Sequence, residues 1–111
     1  MGIGTPDINN GTLQIYPNPM AEQSVLTFVA PENGIAVICL VDLSGKTVYQ
    51  ISTLLSPGAH SFRVSGINQG IYFVHVNGRN YTYSAKLISQ SNVQSEPRIE
   101  YVSSVYGWQK T

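Results

Sequence analysis

The sequence predicts an all-β fold, an antiparallel sandwich of about seven strands, and three observations lead there. Apolar residues recur with period two in short runs from Leu13 onward. Turn-forming residues separate the runs at spacings of about 8 to 12 residues, the rhythm of a sandwich. Apolar residues at helical spacing appear nowhere along the chain.

Composition bounds the rest. A chain of 111 residues has the size of one domain. Only 11% of its residues are charged, and six basic residues balance six acidic ones. A nucleic-acid footprint needs clustered Lys and Arg to neutralise phosphates, so that class is excluded. The longest apolar run, Ile35 to Val41, is far shorter than the ~20 residues of a membrane-spanning helix. The first residues carry no basic and apolar segments of a signal peptide, so an exported parent would hold that signal elsewhere.

Residues 1 to 12 contain Gly, Pro, Asp and Asn without a hydrophobic period and read as a linker. The first strand, Leu13 to Tyr16, stops at Pro17-Asn18-Pro19, because two prolines cannot donate to a ladder. The second, Ser24 to Ala30, alternates and ends at Pro31-Glu32-Asn33-Gly34. The third, Ile35 to Leu43, is apolar on both faces and reads as a central strand. Asp42-Leu43-Ser44-Gly45-Lys46 is turn chemistry: the carboxylate accepts from nearby backbone N–H groups, and Gly45 supplies a positive φ. It leads into a fourth strand, Thr47 to Ile51.

After Ser56-Pro57-Gly58, a fifth strand runs from Ala59 to Ser65. Gly66 and Gly70 bracket a short loop before the sixth, Ile71 to Val76, and Asn77-Gly78 carries a hairpin signal into the seventh, Tyr81 to Ser89. Seven strands at this spacing predict an immunoglobulin-like sandwich, without the Cys-Trp-Cys hallmark of antibody domains. The expected core is Ile15, Leu26, Phe28, Ile38, Leu40, Val48, Phe62, Val64, Tyr72, Val74 and Val76. The domain then covers residues 13 to 89, with a tail from 90 to 111.

That tail holds Ile99, Tyr101, Val102, Val105, Tyr106 and Trp108, more apolar surface than a solvated linker carries. Residues 99 to 106 are therefore expected to pair, as an extra strand, with an open sheet edge of this module or of a neighbouring copy. The second version gives a strand-exchanged homo-oligomer.

Groups for catalysis are sparse. No two His lie at metal-ligand spacing and no acidic cluster resembles a calcium loop, so neither a metal site nor a cofactor is expected. His75 shares a strand face with Ile71 and Phe73 and reads as a packed or rim histidine. Cys39, in the most apolar strand, reads as a buried small hydrophobe. Tyr81 and Tyr83 share one face, which fits either an aromatic binding platform or cross-strand packing.

Four spaced motifs, Ile15-Tyr16-Pro17-Asn18-Pro19, Asp42-Leu43-Ser44-Gly45-Lys46, Gly70-Ile71-Tyr72-Phe73-Val74-His75-Val76 and Lys86-Leu87-Ile88, resemble the C-terminal sorting domain of the type IX secretion system of Bacteroidota. The resemblance covers residues 13 to 89, about 70% of the chain. It implies a non-catalytic immunoglobulin-like module that addresses an exported protein, by way of the periplasm, to the cell surface or medium. The partners it implies are an outer-membrane translocon, a shuttle protein and a sortase that cuts the linker. The family's motif positions, and so the implied partner-binding set, fall on Tyr16, Pro17, Asn18, Pro19, Asp42, Gly45, Lys46, Gly70, Tyr72 and Lys86. Most of these also have folding roles, as strand stops, turn formers or packing; Lys46 and Lys86 have none evident. In the family the module ends soon after its Lys-Leu-Ile, whereas here 23 residues follow Ile88. The proline-flanked first strand and the Gly-x-Tyr strand are also similar to immunoglobulin-like modules of flagellar hook-capping proteins and bacterial extracellular enzymes. The alternative function is thus an accessory binding or spacer module of a secreted glycan-active or adhesive protein.

Overall fold

In the computed structural model, which describes residues 13–92 and 95–104, two four-stranded antiparallel sheets pack face to face. The strands are β1 (Gln14–Tyr16), β2 (Gln23–Ala30), β3 (Gly34–Asp42), β4 (Thr47–Leu55), β5 (Gly58–Ser65), β6 (Gly70–Asn77), β7 (Thr82–Ser89) and β8 (Arg98–Ser104). Sheet order is β1-β2-β5-β8 in one layer and β4-β3-β6-β7 in the other. The chain crosses between layers from β2 to β3, β4 to β5, β5 to β6 and β7 to β8. The linker at residues 1 to 12 and the tail residues Val105, Tyr106 and Trp108 lie outside the described residues.

Period two in the sequence becomes one buried face per sheet, because successive side chains of a strand point to opposite sides. From β2 the core receives Leu26, Phe28 and Ala30; from β3, Ala36, Ile38 and Leu40; from β6, Tyr72, Val74 and Val76. Phe28 and Phe62 stack with centroids 5.8 Å apart, and Tyr83 meets Phe28 edge-on at 5.9 Å. Burying aromatic area on this scale supplies a large part of a small domain's stability. Of the expected core, Ile15 and Val48 are only partly buried, whereas Leu13, Met20, Ile67 and Leu87 are buried without having been anticipated.

Cys39 corrects the sequence reading. With Ile38 and Leu40 turned inward, the strand's alternation sends Cys39 to the outer face, half-exposed, its Sγ 3.3 Å from Gln50 Oε1. His75 shares that outer face with Ile71 and Phe73 and is half-buried. Tyr83 is buried and its hydroxyl donates to the Val29 carbonyl at 2.6 Å, while Tyr81 packs 5.3 Å from it. The tyrosine pair is thus packing rather than an exposed platform. β4 runs four residues beyond its expected end, held by pairing of Leu54 with Ile35 and Leu55 with Gly34.

β8 lies antiparallel on β5 of the same chain, the place that strand D fills in a constant-type immunoglobulin domain. Ile99 is buried, the Tyr101 ring meets Phe62 edge-on at 5.1 Å, and the Tyr101 hydroxyl lies 3.0 Å from His60 Nδ1. The connector that delivers β8 presses on Gly66, whose φ is +81°. A Cβ there would sit 2.0 Å from the Glu96 carbonyl oxygen, so this position accepts only glycine.

Candidate functional site

The motif residues that the sequence scatters over about 70 positions converge on one end of the β4-β3-β6-β7 sheet, except Tyr16, which ends β1 in the other sheet. β3 finishes there, β4 begins there, β6 begins there and β7 finishes there, as the pairings Asp42 with Tyr72 and Gly70 with Ser89 establish. Antiparallel order makes this automatic: the C-terminal ends of β3 and β7 must lie beside the N-terminal ends of β4 and β6.

At the β3–β4 turn, Asp42 Oδ1 accepts from the Ser44 N–H at 3.0 Å, the Ser44 hydroxyl at 2.6 Å and the Lys46 N–H at 3.0 Å. The main chain closes the same loop, Gly45 N–H to Asp42 O and Asp42 N–H to Lys46 O, both 2.9 Å, with Gly45 at φ +94°. Hydrogen bonding to the ionised form, first from the Ser44 hydroxyl and then from the Lys46 amide, holds the Asp42 carboxyl below its usual range. Neighbouring Tyr72 is buried, donates its hydroxyl to the Asn68 carbonyl at 3.0 Å, and is raised above the ordinary phenol value by burial and then by the charge of Asp42. Gly70, at φ +152°, carries only hydrogen where a Cβ would meet the Tyr72 ring at 3.6 Å. A cleft of about 290 Å³ opens beside this turn, walled by Asp42, Val48, Ile67, Tyr72 and Pro97.

The proline segment completes the same end from the other side. Both Tyr16–Pro17 and Asn18–Pro19 are cis. Asn18 donates from Nδ2 to the Lys86 carbonyl at 2.8 Å and accepts at Oδ1 from the Ile88 N–H at 3.0 Å. Its amide therefore stands in for one residue of a neighbouring strand on the free edge of β7. The main chain then takes over: Met20 N–H donates to Ile88 O at 2.7 Å, and Gln90 N–H donates to Met20 O at 2.8 Å. Met20, fully buried, bridges parallel to Ser89. Ser24 Oγ donates to the Pro17 carbonyl, tying the segment back to β2. The chain thus leaves one sheet after Tyr16 and rejoins the other at Met20, which covers half of an otherwise open edge.

Of the motif residues, Lys46 and Lys86 have exposed side chains that form no salt bridge among the described residues, although the Lys46 charge helps to lower the Asp42 carboxyl, and Tyr16 is 79% exposed. Asp42, Gly45, Gly70, Tyr72 and Asn18 build the frame that positions them. Sequence reasoning missed Met20, whose only signal was a large apolar residue directly after Pro19. It also missed the cross-chain role of Asn18, which no local pattern encodes. Among the described residues no three His, Cys, Asp or Glu side chains converge on a common point, and no helix is long and apolar enough to cross a membrane.

No curated protein and no solved structure matches the chain. The family model of the secretion system C-terminal sorting domain matches residues 14–90, a span that starts at β1 and takes in the whole of the end built by these motifs. β8 falls beyond it. The chain accordingly belongs to the family of type IX secretion system C-terminal sorting domains, non-catalytic modules that direct export of the protein carrying them to the cell surface or medium.

Proposed function

We propose that the secretion machinery reads this module at the motif-built end of the β4-β3-β6-β7 sheet. The outer-membrane translocon and its shuttle protein would contact Lys46, Lys86 and the exposed Tyr16, while a sortase acts on the linker at residues 1 to 12. The observation that supports this is the convergence itself: motifs from four parts of the chain meet at one end, and among the described residues the two lysines there form no salt bridge. Pro17, Asn18, Pro19, Asp42, Gly45, Gly70 and Tyr72 contribute by holding that end in shape. The address travels by way of the periplasm, where the module is already folded.

The test is a fusion of residues 1–111 behind a reporter that normally stays in the periplasm, expressed in type IX-competent cells. The reporter is expected on the surface or in the medium, with a mass showing cleavage within the first 12 residues. A reporter retained in the periplasm overturns the proposal. An exported reporter that still carries the whole linker removes the sortase from it.

A further inference from the structure

We infer that this module can address cargo attached after it as well as before it, because β8 carries the chain away from the motif-built end. The inference rests on the export reading above and goes beyond it, to where along a protein the address can stand.

The sandwich has two poles, and the topology decides from which one each chain end departs. The motif-built pole holds the β3–β4 turn, the β5–β6 loop and residues 17–20. The opposite pole holds the β2–β3 loop, the β4–β5 connection and the β6–β7 hairpin. Glu32 fastens two of these together, accepting from the Asn80 backbone N–H at 3.2 Å and from Asn80 Nδ2 at 3.0 Å. β1 comes in from this opposite side. It runs antiparallel to β2, Gln14 beside Thr27 and Tyr16 beside Val25, so the chain before Gln14 arrives from the direction of Ala30. Cargo ahead of the linker therefore hangs away from the motif-built pole.

A chain continuing straight from β7 would do the reverse. Ser89 lies beside Gly70, and the Gln90 N–H donates to the Met20 carbonyl, so residue 90, where the family match stops, stands at the motif-built pole. Cargo joined directly there would begin on the surface proposed above for recognition. β8 removes that conflict. It starts with Arg98 beside Ser65 and finishes with Ser104 beside His60. Its seven residues carry the chain about 20 Å toward the opposite pole. The register then places Gln14, Thr27, Ser61 and Ser103 in one row across the sheet. The incoming and outgoing chain thus pass the same level on the two edge strands, three inter-strand spacings or about 14 Å apart, both on the side away from the motifs.

Packing holds β8 to this course. Ile99 is buried, the Tyr101 ring lies on Phe62, and its hydroxyl meets His60. Glu100 pairs with Arg63, and the Glu96 carbonyl fits over Gly66 where a side chain would collide. Covering the β5 edge is one effect of the strand. Returning the chain to the cargo pole is the other.

The experiment compares three fusions of the full chain in type IX-competent cells, each led by the same inner-membrane export signal. One carries the periplasmic reporter ahead of residue 1, one carries it after Thr111, and one carries it inserted after Asn92. Asn92 lines a pocket with Asn68 and Gln69 of the β5–β6 loop, so the insertion keeps every strand but sets the reporter against the motif-built pole. Surface connections accept such insertions at small thermodynamic cost. The inference predicts similar amounts of reporter outside the cell for the leading and trailing fusions, and loss of export for the inserted one. A leading fusion that is exported beside a trailing fusion that is retained overturns the inference and leaves the export reading intact. An inserted reporter exported as well as the other two also overturns it, since the pole would then not matter. A leading fusion held in the periplasm overturns both. The trailing fusion leaves every residue of the module in place, so it decides the inference even where the insertion unfolds the module.

Discussion

Replacing Asn18 by alanine removes two hydrogen bonds that hold the proline segment on β7, to the Lys86 carbonyl at 2.8 Å and from the Ile88 N–H at 3.0 Å. A hydrogen bond contributes about 0.5 to 1.5 kcal/mol net. The site is exposed, so the freed backbone groups find water, and the pair together is worth about 1 to 2 kcal/mol at the low end of that range. Against a total stability of about 5 to 15 kcal/mol the loss is large. Urea denaturation followed by far-ultraviolet circular dichroism reads it directly: with a slope near 1 kcal/mol/M, the midpoint falls by about 1 to 2 M. Asn18→Asp keeps the acceptor for Ile88 but sets a carboxylate oxygen against the Lys86 carbonyl, and should do no better than alanine. Midpoints that coincide with the wild type's would refute the assignment of Asn18 as a substitute strand residue. So would an aspartate variant as stable as wild type.

Three further outcomes follow from the same geometry. Phe28→Ala removes the ring stacked on Phe62 and touched by Tyr83 and should cost about 3 to 5 kcal/mol, enough to leave much of the protein unfolded by circular dichroism at 37 °C. Gly66→Ala places a methyl against the Glu96 carbonyl; hydrogen exchange should show amides of β8 losing protection, and unchanged protection from Ile99 to Tyr101 would contradict the packing. Because the folded state depresses the Asp42 carboxyl, the unfolded chain binds the proton more readily. That turn therefore stabilises the fold above pH ~4, and its contribution fades as the pH drops through the lowered folded value. Asp42→Asn should flatten the urea midpoint between pH 2 and pH 5 relative to wild type, and identical pH profiles would be the contrary result.

Strand positions were legible because period two and turn chemistry act locally. Leu26 and Phe28 inward of β2, the Asp42–Gly45 turn and the glycine brackets around β6 are all encoded within a few residues of where they act. The second half of β4 was not, since Ser52 to Leu55 alternate weakly and are strand only because β3 pairs with them. Cys39 was misplaced by equating an apolar run with two buried faces; a run apolar on both sides also describes a strand with one face in the core and one half-exposed. The motif-built end was legible as a set of residues but not as a place, because Asn18 meets Lys86 and Ile88 across 68 and 70 positions. Contacts at that separation depend on the topology, which local pattern does not specify.

The most direct measurement of the central claim is the partition of the reporter fused to residues 1–111 between periplasm and exterior, in a type IX-competent host and in the same host lacking the outer-membrane translocon. An export address predicts reporter outside the competent cell and reporter held in the periplasm of the deficient one. The same distribution in both hosts would contradict the account.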